Sequence, residues 1–445
     1  MGLRFVVPVT FLLYCASIHA QSYAGDARKI GLGGIGHSEN LATKMIEQER
    51  PYGSTVLPLG FIQLSTYRKH FDPNDDEFDP VLVLESVANP LHYVIGRNPA
   101  GTRGKFVKDA VNGELARDLN QYRGFRPTNH LLAEGLASPN WGKTVKVWKR
   151  DDGSFQGFYI GAGPYLSAKT ELNIDAALTE ILGSSAPVPL ASLANKTFAI
   201  HDTSVGQAAL AVTGGYRGRI ALPGRQRREG VYVGMNYHYL RGFRYEDAKV
   251  TVRFDTDSNG QLAVLPATAP AVVDRLTAKS GSGYAVDVGV AAVVDRMEVG
   301  FGVNGIGNRI QWNKLTGLRY QMASLVQGGS FVKSSIAPPS TLEVRLPVDY
   351  TGSAAYQGGR WSVVGEGSRG FQGSRFHGGM EYRFSWVEFR GGGGYFLEKW
   401  HPTGGISLRL SERAFLDVAA FGSTTNIERE LRPAIAVSIR VNRGS

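Results

Sequence analysis

Apolar and polar residues alternate with a period of two over much of the second half of the chain. The clearest stretch is Gly283 to Trp312. Tyr284, Val286, Val288, Val290, Ala292 and Val294 fall on one side of a first arm, and Met297, Val299, Phe301 and Val303 on one side of a return arm, with the turn near Asp295-Arg296. The opposite face is mostly Gly, Ala and single charges: Asp287, Gly289, Glu298, Gly300, Gly302 and Asn304. A period of two predicts strands. An apolar face opposed by glycine and lone charges predicts strands with lipid outside and a narrow polar lumen inside. Further runs follow at 342–350, 375–390, 406–410 and 435–441. Their lengths centre on the about 9–11 residues that a tilted strand needs to cross a bilayer. Aromatic residues stand near the run ends (Trp312, Tyr350, Trp361, Trp386, Tyr395, Trp400), where interfacial girdles belong. The fold class expected is all-β: a transmembrane antiparallel β-barrel of about 14 strands.

The first half reads differently. Glu39 to Arg50 predicts a short helix ended by Pro51, and Ser54–Thr66 and Val81–Arg97 predict strands. Helical spacing recurs from Gly104 to Tyr122, at Leu131–Leu136 and at Thr170–Leu182. Thr144–Arg150 and Ser154–Leu166 predict a hairpin about Asp152-Gly153. Val205–Tyr216, Gly230–Leu240 and Ala248–Asp255 predict three more strands. The organisation expected is a signal peptide over 1–20, a plug-like segment over 21–53, and a barrel over 54–441. Helical insertions near 103–138 and 170–183 would plug the lumen or sit at its periplasmic mouth.

Arg4, the apolar run from Phe5 to Ala16 and Ser17-Ile18-His19-Ala20 have the form of a cleaved export signal. The run is too short to span a membrane as a helix, and no later segment offers about 18 uncharged apolar residues. The single cysteine, Cys15, lies in the segment expected to be removed. This excludes disulfides, thiolate metal sites and a cysteine nucleophile from the mature chain.

Glycine, 56 of 445 residues, is nearly twice its usual share. On strands this implies curvature or close approach of another surface. The mean hydropathy of -0.16 fits a barrel, which shows lipid only alternate residues. The net charge of +10 is not gathered into one helix or lysine run, so nucleic acid is not an expected partner. The densest cationic group is Arg217, Arg219, Arg225, Arg227 and Arg228. It is expected to form a loop facing lipid head groups or anionic cargo.

No cofactor, metal centre or enzymatic activity is expected. Gly31, Gly33 and Gly36 match GxGxxG, but no strand precedes them, so a close-packed segment is the reading. The acidic stretches 72–79 and 255–260 read as solvated loop and hairpin turn rather than calcium sites, the second lacking its closing Glu at Pro266. His37-Ser38 and His201 to Ser204 form no self-evident dyad, because neighbours on a strand point to opposite faces. Glu343, Arg345, Arg375, His377, Glu381, Arg383, Glu388 and Arg390 are the lumen or gating residues expected from the alternation.

Asp26-Ala27-Arg28, leading to Gly31 and Gly33-Gly34, and the hairpin Gly283–Trp312 resemble the FadL-like superfamily of outer-membrane barrels. That superfamily includes long-chain fatty-acid transporters, PorV-type secretion components and TraF-type conjugation proteins. The opening is more similar to the PorV and TraF types than to the fatty-acid transporter. The resemblance implies an exported barrel in the outer membrane of a Gram-negative cell, among outer-membrane lipid and lipopolysaccharide. It implies passive passage of a hydrophobic or amphipathic ligand, with Asp26, Arg28, Gly31, Gly33 and Gly34 in a plug packed in the lumen. The alternative it implies is a non-transporting scaffold for secretion, conjugation or surface attachment, whose partner is a periplasmic or secretion-system protein. Barrels of this kind commonly end on an aromatic; this chain ends Val441-Asn442-Arg443-Gly444-Ser445.

Overall fold

The computed structural model describes residues 26–34, 40–48, 52–71, 79, 82, 85–86, 91–96, 101–138, 140–222, 228–265, 268–370, 373–424, 426 and 428–442. The expected signal peptide, Gly36, His37-Ser38 and nearly all of the acidic loop 72–79 lie outside the described residues. One antiparallel sheet of twenty strands dominates. Hydrogen-bonded neighbours follow one another as β4 (Trp141–Lys149), β5 (Phe155–Ile174), β6 (Thr197–Ala221), β7 (Gly230–Asp255), β9 (Ser280–Val294), β10 (Met297–Asn313) and β14 (Asp349–Gln357). They continue as β15 (Trp361–Gly370), β16 (Gly373–Arg383), β17 (Val387–Phe396), β18 (Lys399–Arg409), β19 (Ala414–Ser423), β20 (Arg432–Asn442) and β1 (Tyr52–Val56). These form the wall of a β-barrel. Six shorter strands extend it: β2 (Tyr93–Val94) on β20, β3 (His130–Ala137) on β5, β8 (Ala271–Ala278) on β7, β11 (Thr316–Met322) on β8, β12 (Phe331–Ile336) on β11 and β13 (Thr341–Arg345) on β10. The strand total therefore exceeds the expected figure of about 14. The alternation along the chain marked much of the wall and also β13, within the run 342–350, and passed over β3, β8, β11 and β12.

The wall's outer surface is inverted relative to a water-soluble protein. Val299 and Phe301 on β10, Val363 on β15, Met380 on β16 and Phe389 on β17 all stand exposed, Phe301 at 52%. The alternate residues Ser362, Glu381, Arg390, Ser407, Asp417 and Ser438 are buried. Such a distribution is stable only with hydrocarbon outside. Trp361, Tyr382, Phe384 and Trp386 cluster at the end of the wall that carries the β14–β15 and β16–β17 turns, as a girdle requires.

Strands β5, β6 and β7 are much longer than the wall needs, and their far halves lie beyond the belt. On β6, Leu210 and Val212 are exposed, whereas Phe198, on the same face, is buried. The change in solvent explains it. Past the belt this face is covered by helices α4 (Gly101–Asn112) and α5 (Ala176–Gly183), whose Phe106, Leu178 and Ile181 pack with Tyr122, Phe198 and Phe254 in an ordinary core. Asp202 lies on that covered face, accepting from Ser204 Oγ at 2.9 Å. Burial pushes its carboxyl up to about 6.

Several local expectations are corrected. Residues 131–136 are part of strand β3 rather than a helix, because they pair with β5 residues 167–172. The helix expected over 170–182 begins only at Ala176, capped by Asp175, because 170–174 complete β5. Ser54–Thr66 divides into the end of β1 and helix α3 (Leu59–Thr66) after Pro58. Arg217 and Arg219 are not in a loop. They are buried on β6, over the rings of Tyr159 and Tyr232. Asp257 Oδ1 accepts from Asn259 N and Gln261 N, which makes the 255–260 stretch a self-bonded turn.

Two predictions follow from this layering. Phe301→Arg should cost about 2–4 kcal/mol of folding free energy into lipid vesicles, measured by urea titration, whereas Phe301→Leu should cost under about 1 kcal/mol. Asp202, with its carboxyl raised above the ordinary 3.8, binds a proton more tightly folded than unfolded. Its ionisation therefore penalises the fold above pH ~6, and the penalty fades as pH falls towards ~4. Asp202→Asn should raise stability at pH ~7 by about 2 kcal/mol and flatten the pH dependence between those limits.

Candidate functional site

The N-terminal segment touches both sides of the wall's interior. Helix α1 (Ala27–Gly31) packs on β17, β18, β19 and β20, and helix α2 (Leu41–Gln48) on β7, β9 and β10. Asp26 caps α1, its Oδ1 accepting from Lys29 N at 2.8 Å. Lys29 Nζ reaches Glu47 Oε1 of α2 at 3.1 Å. At one rim Arg429 Nη2 donates to the Leu132 carbonyl of β3 at 2.6 Å, drawing the two ends of the strand array together.

Glycine makes the close approach possible. A Cβ on Gly379 would lie 2.6 Å from the Leu32 carbonyl oxygen, and one on Gly392 would lie 2.7 Å from Gly33 N. Gly33 itself has φ +90°, and a Cβ there would meet the Gly378 and Gly393 carbonyl oxygens at 2.5 and 2.6 Å. Three hydrogen bonds then seat the segment. Ala27 N donates to Ser438 Oγ at 3.1 Å, Gly33 N donates to Thr403 Oγ1 at 3.0 Å, and His377 Nδ1 meets the Gly33 carbonyl at 2.7 Å. On the opposite side, a Cβ on Gly289 or Gly302 would crowd Asn40, whose Oδ1 accepts from Ala42 N at 2.9 Å at the start of α2.

The centre of the site is a buried ion network. Arg28 grips Glu381 with both arms of its fork, Nε to Oε2 at 2.9 Å and Nη2 to Oε1 at 3.0 Å. Arg390 Nε also donates to Glu381 Oε2, at 2.7 Å. The same Arg390 reaches Glu388, Ser407 and Asp417. Arg440 closes the group on Glu388 at 2.6 Å and Asp417 at 3.2 Å. Three guanidinium groups thus hydrogen-bond three carboxylates, and a fourth, that of Arg383, stands 3.4 Å from Glu381. Opposite charge and dense hydrogen bonding are what allow such groups to be buried.

Of the residues expected from the sequence, Arg28, Glu381, Glu388 and Arg390 meet in this network, and Gly31, Gly33 and His377 meet in the seat beside it. Gly34 ends the seat in the left-handed region at φ +77°. Arg383 stands next to Glu381. Arg375 lies apart from the network, near Ser368 and Asp349. Glu343 and Arg345 are not brought to the lumen. They lie on β13, beyond the belt, paired with each other and with Arg345 73% exposed. The alternation there is real, but Leu342 and Val344 pack on the core around Trp312, so the charges face solvent. Asp417 was not singled out, because its inward neighbours Ala419 and Phe421 are apolar where they meet Ala27 and Ile30, which hides the period. A second polar chain was also missed. Thr213 Oγ1, His238 and Asp287 are linked at 2.8 and 2.7 Å, and Asp287 Oδ1 accepts from Gly305 N at 2.8 Å.

No family model and no curated protein matches the chain. Solved outer-membrane barrels superpose on it loosely. The toluene transporter TbuX of Ralstonia pickettii gives a TM-score of 0.31 at 14% identity, covering 72% of this chain and 91% of that one. The toluene transporter TodX of Pseudomonas putida gives 0.31 at 12% identity, covering 71% and 89%. The outer membrane phospholipase A of Escherichia coli gives 0.22 at 7% identity, covering 53% and 81%. The account of this chain therefore rests on its own strand pairing, burial and contacts.

Because Glu381 is shared between Arg28 and Arg390, removing the carboxylate should be felt on both sides. Glu381→Gln should destabilise the barrel by about 3–5 kcal/mol, read from its unfolding midpoint in detergent. It should also release the N-terminal segment to limited proteolysis.

Proposed function

We propose that this protein is an outer-membrane channel, rather than an enzyme, that passes hydrophobic or amphipathic molecules through a lumen gated by its own N-terminal segment. The observation that carries the reading is the bidentate Arg28–Glu381 pair joining that segment to the wall. Export by a cleaved signal and a setting among outer-membrane lipid and lipopolysaccharide belong to the same proposal, supported by the apolar belt and aromatic girdle. A segment meant only to fill the barrel needs apolar packing. This one adds to the apolar contacts of Ala27 and Ile30 a polar hold, a single fork and a few hydrogen bonds over a glycine bed, that can be released. The scaffold reading draws on a different feature, the helix-covered core beyond the belt, which offers a surface to a periplasmic or secretion-system protein. The PorV and TraF resemblance of the N-terminal stretch belongs to that second reading.

The test is reconstitution of the mature barrel in planar bilayers and in vesicles loaded with a hydrophobic fluorophore. The channel reading predicts low basal flux that rises at least about tenfold in Arg28→Gln, since a lost charged hydrogen-bond pair is worth at least about 1.5 kcal/mol. Equal flux in the two proteins would defeat it. Flux near zero in both, with a protein co-purifying in stoichiometric amount, would transfer the assignment to the scaffold.

A further inference from the structure

We propose that Arg383 is the reserve partner of Glu381: when Arg28 leaves with the N-terminal segment, the Arg383 guanidinium takes its place, so that the gate opens by exchanging one ion pair for another. This rests on the gate reading above.

Three observations converge on it. Arg383 and Glu381 are two apart on β16 and so share the inward face. Arg383 Nε lies 3.4 Å from Glu381 Oε1, yet makes no hydrogen bond to it. Nε and Nη2 are both buried without a partner. A guanidinium that is shielded and unbonded is costly, and its cost is relieved by a small reorientation towards the carboxylate beside it. The position is occupied now because Arg28 Nη2 holds Glu381 Oε1.

Charge balance shows why a reserve is needed. Without Arg28 the wall keeps Arg390 and Arg440 hydrogen-bonded to Glu381, Glu388 and Asp417, with Arg383 as a further guanidinium in ion-pair range of Glu381. Arg390 cannot give Glu381 more, because it already serves Glu388, Asp417 and Ser407 as well. Unless Arg383 closes from ion-pair range to a hydrogen bond, Glu381 loses its bidentate counter-charge, and breaking a buried pair in that way is strongly unfavourable. Arg383 is placed to correct it, two residues from Glu381 on the same strand face and 3.4 Å from its carboxylate. Exchange lowers the cost of the open state while leaving the closed state as it is. A static role gives the opposite sign. If Arg383 merely supported Glu381 at long range, losing it would loosen the closed seat.

Single-channel recording of Arg383→Gln, Arg383→Lys and Arg28→Gln separates these. Exchange predicts that Arg383→Gln lowers the open fraction about tenfold relative to the parent, with Arg383→Lys retaining most of it. It predicts that the increase in Arg28→Gln is largely abolished when Arg383→Gln is added. An unchanged or raised open fraction in Arg383→Gln overturns the exchange, while a raised one in Arg28→Gln keeps the gate. If Arg28→Gln leaves the open fraction unchanged, the gate reading falls, and a double-mutant cycle of Arg383→Gln with Glu381→Gln, read by urea unfolding, decides the exchange itself. Coupling that appears only in the Arg28→Gln background, shifting the unfolding equilibrium about tenfold, supports it. No coupling in that background overturns it.

Discussion

The constraint on which the structure depends is the solvent outside the belt. Hydrocarbon takes the apolar residues of each wall strand, so the alternate positions must turn inward. Inside, the positions around Glu381, Arg390 and Asp417 are buried, where isolated charges are costly. Every inward Arg, Glu and Asp must find an opposite charge or a hydrogen-bond partner on a neighbouring strand or on the N-terminal segment. The network of Arg28, Glu381, Glu388, Arg390, Asp417 and Arg440 answers that demand. It joins five separate parts of the chain, one of which is not a strand. The segment is therefore part of the wall's charge balance as well as a filling for the lumen.

The glycines answer a second demand. Wall side chains that met the segment at ordinary distances would leave gaps around its backbone. Stripping the Cβ atoms from Gly379, Gly392 and Gly405 lets the 31–33 backbone lie directly on the sheet, with Thr403 and His377 reaching its polar groups. Backbone against backbone gives little hydrophobic gain at 31–33, so there the hold is concentrated in a few polar contacts, beside the apolar contacts of Ala27 and Ile30.

How much of this was legible in the sequence depended on whether a residue's two faces met different solvents. The central hairpin and β16 did, and the alternation placed Glu381, Arg390 and Glu388 inside. It failed at Glu343 and Arg345 because the sequence does not say where along a strand the membrane ends, and past that boundary the same pattern has the opposite meaning. It failed at Asp417 because packing against Ala27 and Ile30 makes an inward face apolar. Strand β3 was hidden because its residues 131–136, Leu-Leu-Ala-Glu-Gly-Leu, fit helical spacing as well, and only pairing with β5 decides for strand. The seat of α1 could be suspected from its glycines, but which wall strands receive it is a matter of register, which no local pattern contains.

The central claim is that the N-terminal segment sits against the interior of β20 in the native membrane. Cys15 is the one cysteine of the sequence, so a designed pair compared with its two single variants gives a clean reading. Ala27→Cys with Ser438→Cys, oxidised in intact outer membranes, puts a thiol on each of the two residues that now meet through the Ala27 N to Ser438 Oγ hydrogen bond at 3.1 Å. The account predicts a high yield of an internal disulfide, seen as a mobility shift abolished by reductant, with no shift in either single variant. A folded barrel in which the pair stays reduced under the same oxidation would contradict it.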